Sequence, residues 1–247
     1  MIVLKSPAEI NVIQANGSII KECFAFARDY IEAGKTRKKL DIEIEKIIVG
    51  RGAKPAFKGF QGFPASTCIS VNEEVVHGIP DDRQFEDGDV VGLDIGVLKD
   101  GYYADAARTI PVGTVSEEAS KLLAVTERSL DQGIAQAHPG NRLTDISHAV
   151  ETHATGAGFS VVRSLVGHGI GQQMHEEPQV PNFGPPSQGP ELQEGLVIAI
   201  EPMVNVGTGD VFTLEDGWTI VTADRKLSAH FEDTIAVTAD GPRILTR

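Results

Sequence analysis

The chain has 247 residues, enough for one large domain or two small ones and for a substantial buried core. With 41% apolar and 23% charged residues it has an ordinary globular make-up, which excludes disordered, collagen-like and low-complexity architectures. Its 22 Lys and Arg against 35 Asp and Glu leave a net charge of −13, a poor surface for a polyanion, so DNA is not an expected partner.

The first helix signal is Ser6-Pro7-Ala8-Glu9: Ser6 as N-cap, Pro7 at the first helical position, Glu9 closing a capping box. Ile10, Ile13, Ile20, Cys23, Phe24, Ala27 and Ile31 follow at helical spacing, and Gly34 stops the run. A second helix is expected from about Lys38 to Val49, ending at Gly50 and Gly52. Residues 53–80 change character: Gly, Pro and Phe are frequent, and Cys68-Ile69-Ser70-Val71 reads as a short strand. Val90 to Val97 is an apolar strand interrupted by Asp94. Asp100-Gly101 is a hairpin turn signal, and a returning strand covers Tyr102 to Pro111.

The pattern then restarts. Ser116-Glu117-Glu118 opens a helix with Ala119, Leu122, Leu123, Leu130 and Ile134 on one face, and Asp145-Ile146 opens another, as Asp41-Ile42 did. The run Gly195 to Glu201 resembles Gly88 to Asp94: a glycine, five residues, then a carboxylate. Gly34 and Gly140 lie 106 residues apart, and Asp94 and Glu201 lie 107 apart. This reads as an internal duplication within one domain spanning 1–247, with pseudo-repeats of roughly 1–112 and 113–247. Each half supplies two helices and then antiparallel strands. The expected fold class is α+β, with a curved antiparallel sheet carrying its helices on one side.

Asp94 and Asp105 lie eleven residues apart across the hairpin. If the turn centres on Lys99-Asp100, they are directly opposite. If the loop is Asp100-Gly101, Asp94 faces Ala107 and Asp105 is its diagonal neighbour. Either register puts both on one face, with Cβ atoms about 5–8 Å apart. Like charges there destabilise the sheet unless something neutralises them, and a cation between them is one remedy, solvent the other. Glu201 closes the apolar run Leu196–Ile200, and Glu232 begins a final strand, Glu232–Val237. In a duplicated fold these two acids would meet Asp94 and Asp105, and four converging carboxylates call for about two divalent cations.

Of the seven histidines, His138, His148 and His153 fall in helical or helix-end contexts and read as structural or exposed. His77 stands between apolar residues and Gly78. His168 and His175 belong to the run Gly167-His168-Gly169-Ile170-Gly171-Gln172-Gln173-Met174-His175-Glu176, whose glycines permit unusual backbone angles and close approach of a ligand. His230, two residues before Glu232, reads as a residue behind the ligands or at the rim.

Taken together, the order His77, Asp94, Asp105, His168, His175, Glu201, Glu232 resembles the methionine aminopeptidases of the pita-bread metallopeptidase fold. The strings Gly62-Phe63-Pro64, Cys68-Ile69-Ser70-Val71-Asn72-Glu73, His77-Gly78-Ile79-Pro80-Asp81, Gly167-His168-Gly169-Ile170-Gly171 and Ile200-Glu201-Pro202-Met203 extend the likeness along the whole chain. The resemblance implies that Asp94, Asp105, His168, Glu201 and Glu232 hold two divalent metal ions (Co, Mn, Fe or Zn). It implies that His77, His175 and Glu201 are catalytic, with His77 and His175 contacting substrate. It implies a methionine pocket formed by Phe60, Phe63, Cys68, Met174 and Trp218. The two Phe positions are often Tyr in the family, and Met174 is often an aromatic, so the outer pocket is where this chain departs from the pattern. Only 26 residues separate His175 from Glu201, which leaves no room for the helical insertion of the type II enzymes. The chain thus resembles the short, bacterial-style type I form.

The implied activity is removal of the initiator methionine from nascent proteins and peptides, favouring small second residues. The implied setting is a cytoplasmic monomer working near the ribosome. Two cysteines, Cys23 and Cys68, fit a reducing compartment, and neither a signal peptide nor an 18-residue apolar run is visible. The rival readings are an Xaa-Pro aminopeptidase-like enzyme and a non-catalytic interaction protein on the same fold.

Overall fold

The computed structural model describes residues 1–247. Two helices come first, α1 (Pro7–Tyr30) and α2 (Arg37–Gly50). Short strands β1 (Lys54–Pro55), β2 (Cys68–Val71) and β3 (Glu74–Val76) follow, with a 3-10 turn at Phe60–Gly62. A long hairpin is formed by β4 (Val90–Lys99) and β5 (Tyr102–Pro111). Helices α3 (Glu117–Ile134) and α4 (Leu143–Gly156) open the second half. Then come β6 (Ser160–Val161), β7 (Gly167–Gly169), β8 (Glu176–Val180), β9 (Val197–Ile200) and β10 (Met203–Asn205). The chain ends with β11 (Val211–Thr213), β12 (Ile220–Thr222), β13 (Ser228–His230), β14 (Glu232–Thr238) and β15 (Gly241–Ile244).

The helix starts follow from their caps. The Ser6 hydroxyl accepts from the Glu9 N–H at 3.4 Å, and the Glu9 carboxylate accepts from the Ser6 N–H at 2.7 Å, so two orphan donors are satisfied reciprocally. Thr36 and Ser116 cap α2 and α3 in the same way, each accepting from the N–H three residues on. Helix α4 starts at Leu143, two residues earlier than Asp145 suggested. Asp145 is its third residue, and its carboxylate accepts from the Arg142 N–H at 2.8 Å.

The main sheet is antiparallel throughout, in the order β1-β4-β5-β14-β9-β7-β8, with β2 paired to β4 and β15 to β14. It curls into a half-barrel. Along β4 the odd residues Val91, Leu93, Ile95 and Val97 join a 28-residue buried cluster with α1 and α2. A second cluster of 19 buried residues unites α3 and α4 with Ile198, Ile200, Ile235 and Val237. The helices of both halves therefore lie on one side of one continuous sheet, which is the pita-bread arrangement. The even residues of β4, including Asp94, face the open concave side. At the hairpin tip Asp100 and Gly101 have φ of 52° and 80°, the left-handed pair that a two-residue turn with native strand twist requires.

Candidate metal centre

The ladder register decides what the acids do. Asp94 pairs with Ala107 and Asp105 with Gly96, so the Asp100-Gly101 loop register holds and the two aspartates are diagonal neighbours on one face. Ala107 in turn pairs with Glu232, and Asp94 pairs with Cys68 on its other side. Cys68, Asp94, Ala107 and Glu232 thus form one row across four strands. Extending the Asp233↔Ile200 pairing by one residue brings Glu201 beside Glu232. Ala107 has no bulk to fill the space between Asp94 and Glu232, and that space is where the carboxylates converge.

His168 enters from β7, paired with Ala199 on the neighbouring strand. Donor atoms of Asp105, His168 and Glu232 lie within 4.8 Å of one another. The Glu201 carboxylate is 3.7 Å from His168 Nε2. His168 Nδ1 donates to the Gly169 carbonyl at 2.9 Å, the tautomer that leaves the Nε2 lone pair facing the acids. The flanking glycines serve packing rather than ligand approach. A Cβ on Gly167 would lie 2.4 Å from the Ala199 carbonyl oxygen, and one on Gly169 would lie 2.3 Å from that of Glu177.

Burial, and then the charge of Asp105, push the Asp94 carboxyl well above its usual range. Burial raises Asp105 to about 7. Glu201 and Glu232 are raised by burial and by the neighbouring acids. Burial pushes His168 down to about 4, with His175 adding to the effect, so its imidazole is neutral. Oδ1 of Asp94, Oδ1 of Asp105 and Oε1 of Glu232 are buried without a hydrogen-bond partner. Arg108 is engaged elsewhere: it donates to the Glu232 carbonyl at 2.5 Å and to the Asp233 carboxylate at 2.6 Å. Four crowded carboxyls, orphaned acceptors and one neutral imidazole with a free lone pair are a donor set that divalent cations satisfy.

The cluster floors a cavity of about 150 Å³ whose walls include Phe60, Phe63, Cys68, Met174 and Trp218. Phe63 and Trp218 meet edge-to-face at 5.1 Å, and Phe60 packs edge-on against His175 at 5.5 Å. Cys68 is buried, and its thiol is pushed well above the usual range by burial and by Asp94, so it is an inert wall. Phe57 and Gln61 also line the cavity and were not expected from the sequence. The signal available was the aromatic run Phe57 to Phe63, which has no strand or helix period. His77 and His175 stand where this cavity meets an outer groove of about 770 Å³. His77 has φ of 59°, a costly conformation for a non-glycine residue, held where the imidazole is needed. His138 and His148 are exposed and His153 half-buried on the helical side. His230 stands behind the acids rather than at the rim. It is buried, pushed to about 3 by burial and by His77, with Nε2 3.8 Å from Glu201 and 4.0 Å from Glu232.

Residues 11–239 match the model of metallopeptidase family M24. A methionine aminopeptidase of Clostridium perfringens is 52% identical over 246 residues, 100% of this chain and 99% of that protein. Methionine aminopeptidase 1 of Bacillus subtilis is 50% identical over 247 residues, 100% of both. The crystal structure of methionine aminopeptidase from Thermotoga maritima superposes with a TM-score of 0.98 at 43% identity, covering 100% of each chain. An X-Pro aminopeptidase structure from Thermotoga maritima shares the fold alone, at 22% identity and a TM-score of 0.77, and this chain spans 62% of it.

Proposed function

The chain belongs to metallopeptidase family M24, and on that footing we propose that it removes the N-terminal methionine from nascent proteins and peptides by metal-assisted hydrolysis. The observation that carries the reading is the acidic cluster itself, which floors an apolar-walled cavity of about 150 Å³ that opens past His77, His168, His175 and Glu201 onto the outer groove. Asp94, Asp105, His168, Glu201 and Glu232 would hold two divalent ions, of Co, Mn, Fe or Zn. When bound, such ions polarise a carbonyl and acidify water.

The protein's own residues supply the rest. The acidic floor receives the free α-amine, which an internal peptide lacks. The apolar walls Phe63, Cys68, Met174 and Trp218 take the thioether chain and exclude water. Glu201, with a raised pKa, accepts a proton from the attacking water and returns it to the leaving amine. His175, held below its usual pKa by desolvation, donates an N–H to the carbonyl oxygen as negative charge develops. His77 orients the scissile amide. Phe60, His77 and His175 frame the passage from cavity to groove, which favours a small second residue.

No helix of the protein is long and apolar enough to cross a membrane. Work on nascent chains would place the enzyme in the cytoplasm near the ribosome. Both helical cores share one sheet, which supports a single catalytic domain, and we read it as acting as a monomer.

The test is to strip the protein with chelator and assay Met-Ala-Ser with Mn, Fe, Co or Zn added separately. Leu-Ala-Ser and Ala-Pro-Ala are the controls. Metal-dependent release of methionine alone is the expected result. Cleavage before proline would reassign the substrate. Folded, metal-loaded protein without turnover would overturn the catalytic reading in favour of a binding role.

A further inference from the structure

The segment ahead of α1 is irregular, yet it carries a buried lysine. The Lys5 side chain is 3% exposed, and lysines are almost never buried unless paired. Its partner is Glu176, whose carboxylate accepts from Nζ, and Nζ also donates to the Val3 carbonyl at 2.8 Å. The backbone N–H of Lys5 donates to the Gly195 carbonyl at 2.7 Å, six residues ahead of Glu201. The ion pair joins residues 171 positions apart in sequence.

The other oxygen of Glu176 accepts from the Gln173 N–H at 3.1 Å. One carboxylate therefore ties Lys5 to the turn Gly171–His175. The turn folds directly onto the lysine stem. A Cβ on Gly171 would lie 2.4 Å from Lys5 Cε and 2.7 Å from Glu176 Oε1. The Gly171 carbonyl accepts from the Tyr103 N–H at 2.8 Å, fixing the start of the turn to β5. At its far end stand Met174, a wall of the cavity, and His175. The His175 ring is exposed on its groove side and packed edge-on against His168 at 4.4 Å and Phe60 at 5.5 Å. The fixed point beside it in the chain is Glu176.

Resting on the function proposed above, we infer that Lys5 is a positioning residue, which through Glu176 holds the turn bearing Met174 and His175 at the angle the reaction needs. A buried ion pair contributes little net stability compared with apolar side chains of the same size, but its directed hydrogen bonds fix geometry. Misplacing a reacting group by about 1 Å can cost on the order of 100-fold in rate.

The experiment compares Lys5→Met, Lys5→Arg and the uncharged pair Lys5→Met/Glu176→Gln on the metal-loaded enzyme, in the parent and in a His175→Ala background. Met-Ala-Ser turnover by the parent tests the function itself. Lys5→Met is expected to lower kcat about 10- to 30-fold with KM within about twofold. In the His175→Ala background, read by long incubation, the same change is expected to cost less than about twofold, because the coupling runs through the imidazole. Lys5→Arg restores the rate. The uncharged pair recovers thermal stability without recovering kcat. Independently of turnover, the His175 ring Cε1–H resonance broadens or splits in Lys5→Met. Equal losses in both backgrounds would make Lys5 a general structural residue. Unchanged kcat together with a single sharp His175 resonance would remove the positioning role. If the parent cleaves no methionyl peptide, the function fails and the resonance alone decides the positioning.

Discussion

The two halves of the sheet bring their acids together by different routes. In the first half, Asp94 and Asp105 sit on one hairpin with ten consecutive ladder pairs, Val90↔Pro111 to Lys99↔Tyr102. In the second half, the equivalent strands β9 and β14 pair at four positions, and 31 residues of chain lie between them. That intervening chain holds β10 to β13 and Trp218, a wall of the cavity. Local pairing makes the first half a rigid platform. The second half accepts the larger loop-closure entropy and uses the inserted chain to shape the pocket. The two halves thus differ in how they bring their acids together, by a continuous ladder in the first and across an inserted chain in the second, while both contribute walls to the pocket.

The largest effects should ignore this difference, because the acids act as one set. Asp105→Asn from the first half and Glu201→Gln from the second should each lower kcat/KM by about 10²- to 10⁴-fold. In chelator the same variants should melt at higher temperature than the parent, because each removes one of several crowded buried charges. If only one half's variant lost activity, the shared centre would be wrong.

Metal removal sharpens the point through pH. Asp105 is raised from 3.8 in the free residue to about 7 in the fold. Between those values the folded state binds more protons than the unfolded state, so stability falls as pH rises. That stability is fully present below pH 3.8 and is lost as pH rises through about 7. Asp94, Glu201 and Glu232 shift in the same direction. The chelated protein should therefore have a lower melting temperature at pH 7.5 than at pH 4.5, and Mn or Co should restore most of the difference at pH 7.5. A chelated protein more stable at pH 7.5 would contradict the buried, uncompensated cluster.

What could be read from sequence follows the same division. The caps at Ser6 and Ser116, the Asp100-Gly101 turn and the facing of Asp94 and Asp105 are local features, written in neighbouring residues. The short strands β6, β10, β11, β12 and β13 have two or three residues each and no period to detect. His230 illustrates the loss. A regular strand through Glu232 would have set it on the same face, yet β13 pairs with β10 while β14 pairs with β5 and β9. The chain changes sheets at Phe231, and that change decides between the two positions the sequence left open for His230, placing it behind the acids rather than at the rim. The convergence of Glu201 and His168 with the aspartates was legible only through the duplication and the family resemblance, because their pairings span most of the chain.

The two cores offer a finer comparison. Ile44 in the first and Ile146 in the second are both fully buried. Truncation of either to Ala should cost about 2–5 kcal/mol, a transfer loss plus a cavity. Because both cores rest on one sheet, urea unfolding followed by circular dichroism and by Trp218 fluorescence should give one coincident transition for each variant. Separate transitions would divide the protein into two units and break the single-domain reading.

The smallest effect concerns the hairpin tip. Gly101 has φ of 80°, and a Cβ there meets no atom within 4 Å, so Gly101→Ala changes backbone preference and little else. Holding alanine in that left-handed region should cost about 1–2 kcal/mol. Five residues separate the tip from Asp94 and three separate it from Asp105, with intact ladder pairs between. If the first half is a rigid platform, the turn can be strained without moving the acids. Gly101→Ala should then lower the urea midpoint while metal affinity and kcat/KM stay within about twofold, since the ladder rather than the tip sets the diagonal spacing. A metal affinity that fell in step with stability would show that the platform owes its rigidity to the turn, and the contrast between the halves would shrink to one of loop length.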